Sequence, residues 1–143
     1  MRAGVLMITG LTLCVFLSAC SRGPRLVKVS GKLTNHDKPY QVAPAEMRPL
    51  ITLVPLDKEG AYDKPPAEFN TSDGTFTVPG RQRNGIPEGK YRIAIQLNPP
   101  NPSAEIQHYN QLFTEQSSPI VRDITGPTEL TIDLAKEAAA AKK

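Results

Sequence analysis

From Val27 onward the chain is a succession of short segments in which apolar and polar side chains alternate. Val27, Val29, Gly31 and Leu33 share one parity and Lys28, Ser30 and Lys32 the other, which predicts a half-buried strand. Gly31 falls on the inner side, where a missing side chain leaves room for a neighbouring backbone. Turn residues Asn35-His36-Asp37-Lys38-Pro39 follow, and Leu50-Ile51-Thr52-Leu53-Val54, bounded by Pro49 and Pro55, predicts a more buried strand. Residues 67–70 predict a short strand, placed at a sheet edge by Pro65-Pro66, since proline cannot donate to a ladder. Ser72-Asp73-Gly74 then separates Glu68-Phe69-Asn70 from Thr75-Phe76-Thr77-Val78, a tight hairpin that puts Phe69, Phe76 and Val78 on one face.

The second half repeats the pattern. Gly80 to Gly85 is a polar loop, and Tyr91, Ile93, Ile95 and Leu97 give the clearest alternation in the chain. Tyr91 stands just past Pro87-Glu88-Gly89, a position suited to a tyrosine corner. After the prolines of 98–102, Ile106, Tyr109, Leu112 and Phe113 recur at helical spacing, predicting one short helix over 103–115 capped by Asn101 or Ser103. Residues 118–124 read as an edge strand, and Leu130, Ile132 and Leu134 as a closing one. The alanine-rich 135–143 is shorter than the roughly 12 residues an isolated helix needs, so a disordered or frayed tail is expected. Seven or so short strands spaced by turns predict an all-β fold, a small Greek-key β-sandwich over 25–134.

The first nineteen residues follow different rules. Met1-Arg2 gives a positive start, Val5 to Leu17 is a thirteen-residue, mostly apolar run, and small residues lead into Cys20. That order is an export signal over 1–19, too short for the roughly 20 residues of a membrane-crossing helix. Leu17-Ser18-Ala19-Cys20 resembles the lipobox of bacterial lipoproteins. The resemblance implies cleavage before Cys20, lipidation of its thiol, and a short lipidated tether over 20–24. Cys14, preceded by the bulky Leu13, fits that pattern less well.

Cysteine count sharpens the picture. Cys14 leaves with the leader and Cys20 is taken by lipid, so no thiol remains for a disulfide or a metal. The exported body must then hold together by packing. The formal net charge of +3 includes Arg2, and several cations lie near the two ends: Arg22, Arg25 and Lys28, then Lys136, Lys142 and Lys143. Near an anchor they would favour anionic headgroups by about 1 kcal/mol each. Without a basic stripe or stacking aromatics, nucleic acid is not an expected partner.

The order of these features resembles bacterial lipoproteins that carry a carboxypeptidase-regulatory-like or transthyretin-like domain. The matching residues are Val29-Ser30-Gly31-Lys32-Leu33, Asp37-Lys38-Pro39, Thr71-Ser72-Asp73-Gly74-Thr75-Phe76 and Pro87-Glu88-Gly89-Lys90-Tyr91-Arg92-Ile93, with 118–134 as the ending. One departure is His36-Asp37-Lys38, where that group usually has a glycine before the lysine. The resemblance implies a prealbumin-like or immunoglobulin-like sandwich. It does not carry the hydrolase activity of some transthyretin relatives, which use several histidines and a C-terminal Tyr-Arg-Gly-Ser.

Chemistry is sparse. The only histidines, His36 and His108, lack metal-ligand spacing, no Gly-x-Ser-x-Gly occurs, and Asp57, Glu59, Glu68, Asp73 and Glu88 sit in turns or on outward strand faces. No catalytic, cofactor-binding or metal residue is assigned, and no enzyme activity is expected. Some sandwich domains join a first-strand lysine to a last-strand Asp beside a buried Glu, and Lys28 or Lys32, Asp133 and Glu68 supply those types. All three lie on outward parities, so exposure is expected instead. A pocket gathering His108, Glu105 and a tyrosine would favour an enzyme, and exposed Tyr40, Tyr62 or Tyr109 a sugar platform.

The expected function is that of a membrane-anchored, non-enzymatic module of the cell envelope, on the periplasmic or outer side. Its partners would be membrane lipid through Cys20 and an envelope protein or polymer. The alternative is a carbohydrate- or peptide-binding domain using the loops 80–85 and 98–102.

Overall fold

The computed structural model describes residues 23–42, 47–57, 64 and 66–142, Arg81 by its backbone alone. The expected export signal over 1–19 and Cys20, like Tyr62, lie outside the described residues.

Among the described residues, ten strands and two α-helices follow one another in the order β1 (Leu26–Val27), β2 (Val29–Asn35), β3 (Lys38–Pro39), β4 (Leu50–Pro55), β5 (Glu68–Phe69), β6 (Thr75–Val78), β7 (Ile86–Pro87), β8 (Gly89–Gln96), α1 (Ala104–Leu112), β9 (Val121–Ile124), β10 (Thr128–Asp133) and α2 (Leu134–Ala140). One sheet has the order β10-β2-β6-β5, with β3 also paired to β2; a second has the order β4-β8-β9. The small β1–β7 pair joins the start of β2 to the start of β8. The two larger sheets close on a single apolar core, which makes the body an all-β sandwich. Leu33, Ile93, Ile95, Ile124 and Ile132 are fully or almost fully buried there, and each contributes roughly 1.5–3 kcal/mol relative to exposure.

The period-two pattern is realised as the sequence predicts. In β2 the inner residues Val29, Gly31 and Leu33 are buried, and Lys32 opposite them is partly exposed. Gly31 is required by packing, because a Cβ there would lie 2.4 Å from the Leu130 carbonyl oxygen and 2.6 Å from Phe76 Cζ. Phe69 and Phe76 pair across the β5–β6 hairpin, whose turn uses Gly74 at φ 75°. Tyr91 forms the expected corner, its Oη donating to the Pro87 carbonyl at 2.7 Å.

β2 and β10 run parallel, Val29 beside Thr128 and Thr34 beside Asp133. β2 and the last strand therefore end at the same place. That end carries both surprises of the fold.

The first is the tail. Residues 135–143 are expected to fray, and the sandwich to carry one helix, yet 134–140 form α2. Leu134, expected to finish the closing strand, starts that helix instead. Isolated propensity is the wrong criterion here, because tertiary contacts stabilise the segment. Asp133 caps it by accepting from the Lys136 N–H at 3.1 Å, and Leu134 and Ala138 are buried in the core.

The second is Asp133 itself, placed by parity on the outward side but only 7% exposed. The carboxylate accepts from Thr34 Oγ1 at 2.9 Å and from the Asp37 N–H at 2.7 Å, besides capping α2. The Asp37 bond holds a two-residue turn in which His36 and Asp37 both have positive φ, 51° and 62°. Such a turn normally prefers glycine.

Candidate functional site

Two surfaces gather chemistry-bearing groups among the described residues. One lies at the far end of β2. Here α1, capped by Ser103 Oγ accepting from the Ile106 N–H, brings Glu105 and Tyr109 against the β2–β3 turn. A single oxygen, Glu105 Oε1, lies 2.9 Å from His36 Nε2 and accepts from Tyr109 Oη at 2.8 Å. Asn35 Oδ1 stands 3.2 Å from the same hydroxyl.

These contacts set the electrostatics. Hydrogen bonds from Tyr109, then from His36, hold the Glu105 carboxyl below its ordinary range. Burial, reinforced by the Glu105 carboxylate, pushes the Tyr109 phenol upward, so it stays a neutral donor. Beside them, burial works to raise the Asp133 pKa, but the Asp37 and Lys136 N–H donors and Thr34 outweigh it, and the carboxyl lies low. Lys136 is paired with Asp37, whose hydrogen bond and charge raise the ammonium pKa.

The cluster differs in membership from the one that would favour an enzyme. His36, not His108, meets Glu105 and a tyrosine, and His108 stays exposed on the outer side of α1. Sequence spacing hides this meeting because positions 36 and 105 are joined only by the fold. Nor is Tyr109 an exposed platform, being 3% exposed; Tyr40 is half-buried. The arrangement suits positioning. Its phenol donates to the Glu105 carboxylate, and the His36 and Glu105 side chains are 64% and 45% exposed.

The crosslinking trio is not assembled either. Asp133 has Thr34, Asp37 and Lys136 N–H as partners, and among the described residues no lysine ammonium is hydrogen-bonded to it. Glu68 is 59% exposed on β5, two strands away from β2 and three from β10.

The second surface lies along the edge strand β5, where the loops 80–85 and 98–102 contribute to two neighbouring cavities. One, of about 590 Å³, is lined by Arg48, Pro49, Leu50, Pro66, Ala67, Glu68, Pro79 and Asn98. The other, of about 310 Å³, is lined by Lys28, Val29, Ser30, Glu68, Thr77, Val78, Pro79, Arg83 and Gly85. Glu68 and Pro79 belong to both. Leu50, 43% exposed, is one of two large apolar side chains on the surface of the described residues. A short 3-10 turn at Arg81–Arg83 shapes the loop, with Gln82 and Arg83 in the left-handed region at φ 52° and 61°. It is closed by the Gly85 N–H donating to the Pro79 carbonyl at 3.0 Å. No group of three or more metal-ligating side chains occurs among the described residues, and none of their helices is long and apolar enough to cross a membrane.

No family model matches the chain, and no curated protein matches it. Among solved structures it is similar to a DUF3823 family protein from Parabacteroides merdae ATCC 43184, with a TM-score of 0.48 and 17% identity over 75% of this chain and 44% of that one. A DUF3823 family protein from Bacteroides ovatus ATCC 8483 gives a TM-score of 0.45 and 15% identity over 76% of this chain and 44% of that one. The chain thus spans less than half the length of either neighbour.

Proposed function

We propose that this protein is a lipid-anchored, non-enzymatic β-sandwich module of the cell envelope, held on a membrane through Cys20 and making contacts with an envelope protein or polymer. The observation that carries the reading is Leu17-Ser18-Ala19-Cys20 at the end of a thirteen-residue apolar run. Small side chains before the cysteine let the backbone enter a peptidase, and a thiol can become a thioether to diacylglycerol. Acyl chains contribute about 0.8 kcal/mol per buried methylene, so several chains give a stable anchor where a single short one would not. The carboxypeptidase-regulatory-like resemblance fits the same reading, as does a polar cluster whose groups are paired with one another. Cys20→Ser should move the protein from the membrane pellet to the soluble fraction. A variant that still pellets after a high-salt wash refutes the anchor.

A second reading, a carbohydrate- or peptide-binding domain, is favoured by the adjoining cavities along β5. Under it, Leu50→Asp lowers capture of a glycan or envelope polymer by the protein. Equal capture by wild type and variant removes that reading.

A further inference from the structure

The smaller cavity carries charges in a pattern of its own. Lys28, just before β2, and Ser30, within it, lie on the outward parity, with Thr77 paired directly across from Ser30 on β6. Arg83 reaches in from the loop, and Glu68 from the edge strand. Two cations, two hydroxyls and one carboxylate therefore border about 310 Å³ of open space, the low end of the range that takes a small ligand.

Arg83 is placed there at a cost. Consecutive left-handed residues without glycine are disfavoured by roughly 1–2 kcal/mol each, and Gln82 and Arg83 both adopt that conformation. The surrounding chain imposes it: a Cβ on Gly85 would lie 2.2 Å from the Val27 carbonyl oxygen, so the loop is pressed against β1. Strain retained at a surface loop points to a task for the residue it displays. The present partner of Arg83 is weak, Glu68 Oε1 at 3.5 Å with side chains 84% and 59% exposed. Exposed pairs of this kind contribute little and yield to a ligand that offers both charges.

We propose that this cavity is a headgroup site for a phosphoethanolamine ester, Lys28 and Arg83 taking the phosphate and Glu68 the ammonium. Ser30 and Thr77 complete the phosphate shell with hydroxyl donors. A plain anion would meet the Glu68 carboxylate, whereas a zwitterion satisfies all three charged groups. The lipid source rests on the anchored reading above. Cys20 precedes Arg25 by five residues, at most about 17 Å of extended chain, so the site would hang within reach of the headgroup layer. Binding of the soluble ester does not depend on that reading.

The test is amide NMR of the full chain titrated with glycerophosphoethanolamine, glycerophosphocholine and inorganic phosphate. Shift changes are expected at Ser30, Thr77, Arg83 and Gly85, with the ethanolamine ester bound about fivefold or more tighter than the choline ester, which cannot donate a hydrogen bond to Glu68. Lys28→Gln with Arg83→Gln should weaken binding roughly tenfold, Glu68→Gln should erase the ethanolamine preference, and Lys64→Gln should change nothing. All four positions are exposed, so folding is not at stake. Unchanged affinity in the double variant overturns the site, and phosphate binding as well as the ester overturns the zwitterion assignment. For the lipidated protein in phosphatidylcholine nanodiscs, the same amides should shift only when phosphatidylethanolamine is included. No shift there, with the soluble ester still bound, overturns the lipid source. Fractionation of Cys20→Ser reports on the anchor alone, so the two readings fail separately.

Discussion

Asp133→Ala is the perturbation with the largest expected reach. One carboxylate accepts from Thr34 Oγ1, the Asp37 N–H and the Lys136 N–H, at 2.9, 2.7 and 3.1 Å. Removing it strips α2 of its cap, about 1 kcal/mol, and leaves two further donors without their charged acceptor, each worth about 1.5–3 kcal/mol. The three bonds share one group and do not add fully, so about 3 kcal/mol is expected. That is a large share of the 5–15 kcal/mol typical of a domain. Urea unfolding followed by far-ultraviolet circular dichroism measures it, since the chain has no tryptophan to report by fluorescence. The isosteric Asp133→Asn isolates the charge. Because the folded-state pKa of Asp133 is lowered, its stabilisation is fully present above the unfolded value of about 3.9 and is lost as pH falls through the folded value. The stability gap between wild type and Asp133→Asn should therefore narrow on acidification from about pH 6 to about pH 2.5. An alanine variant within about 0.5 kcal/mol of wild type, or a gap that does not change with pH, would refute the assignment of Asp133 as the fastener of this end.

Three other substitutions probe separate elements. Gly31→Ala brings a Cβ to 2.4 Å from a backbone oxygen of β10; a loss of about 3 kcal/mol or more is expected by urea unfolding, and a wild-type midpoint would contradict the close parallel pairing. Tyr91→Phe removes the bond from Oη to the Pro87 carbonyl and should cost about 1–2 kcal/mol in the same assay, an unchanged midpoint showing that the corner is idle. In Tyr109→Phe the largest cause of the lowered Glu105 pKa disappears, so the Glu105 carboxyl carbon should titrate at higher pH by NMR, and an identical titration would separate the two groups.

How far the sequence reaches depends on what surrounds each segment. Wherever a strand has one wet and one buried face, alternation identified it: β2, the β5–β6 hairpin and β8 appear with their inner residues where parity puts them. The helix was legible too, from its spacing and from Ser103. Parity fails where a third element covers the outward face. Thr34 and Asp133 stand side by side on that face of β2 and β10, yet both are buried, because the tail folds back over the strand ends. Nothing local in Leu134-Ala135-Lys136-Glu137 announces this, although an aspartate at 133 with a glutamate at 137 in the first turn is a usable helix-start signal. The meeting of His36 with Glu105 was illegible for a simpler reason: 69 residues separate them.

The parallel pairing of β2 with β10 gives the two ends of β2 different characters, and this bears on how a tethered module would work. At its far end, Asp133, Thr34, the His36-Asp37 turn, α1 and α2 are cross-connected by side-chain hydrogen bonds, so moving one element breaks bonds in others. At the near end, Lys28, Arg83 of the strained loop and Glu68 border open space, and Arg83 and Glu68 make a long ion pair. A seven-residue strand separates the two ends by about 20 Å. A ligand entering the near end therefore meets groups that can reorient without disturbing the core, whereas a partner on the far end must take the surface as it stands. Under the anchored reading proposed above, the adaptable contacts would lie beside the tether, where lipid headgroups differ in charge and spacing, and the rigid ones on the side facing away from it.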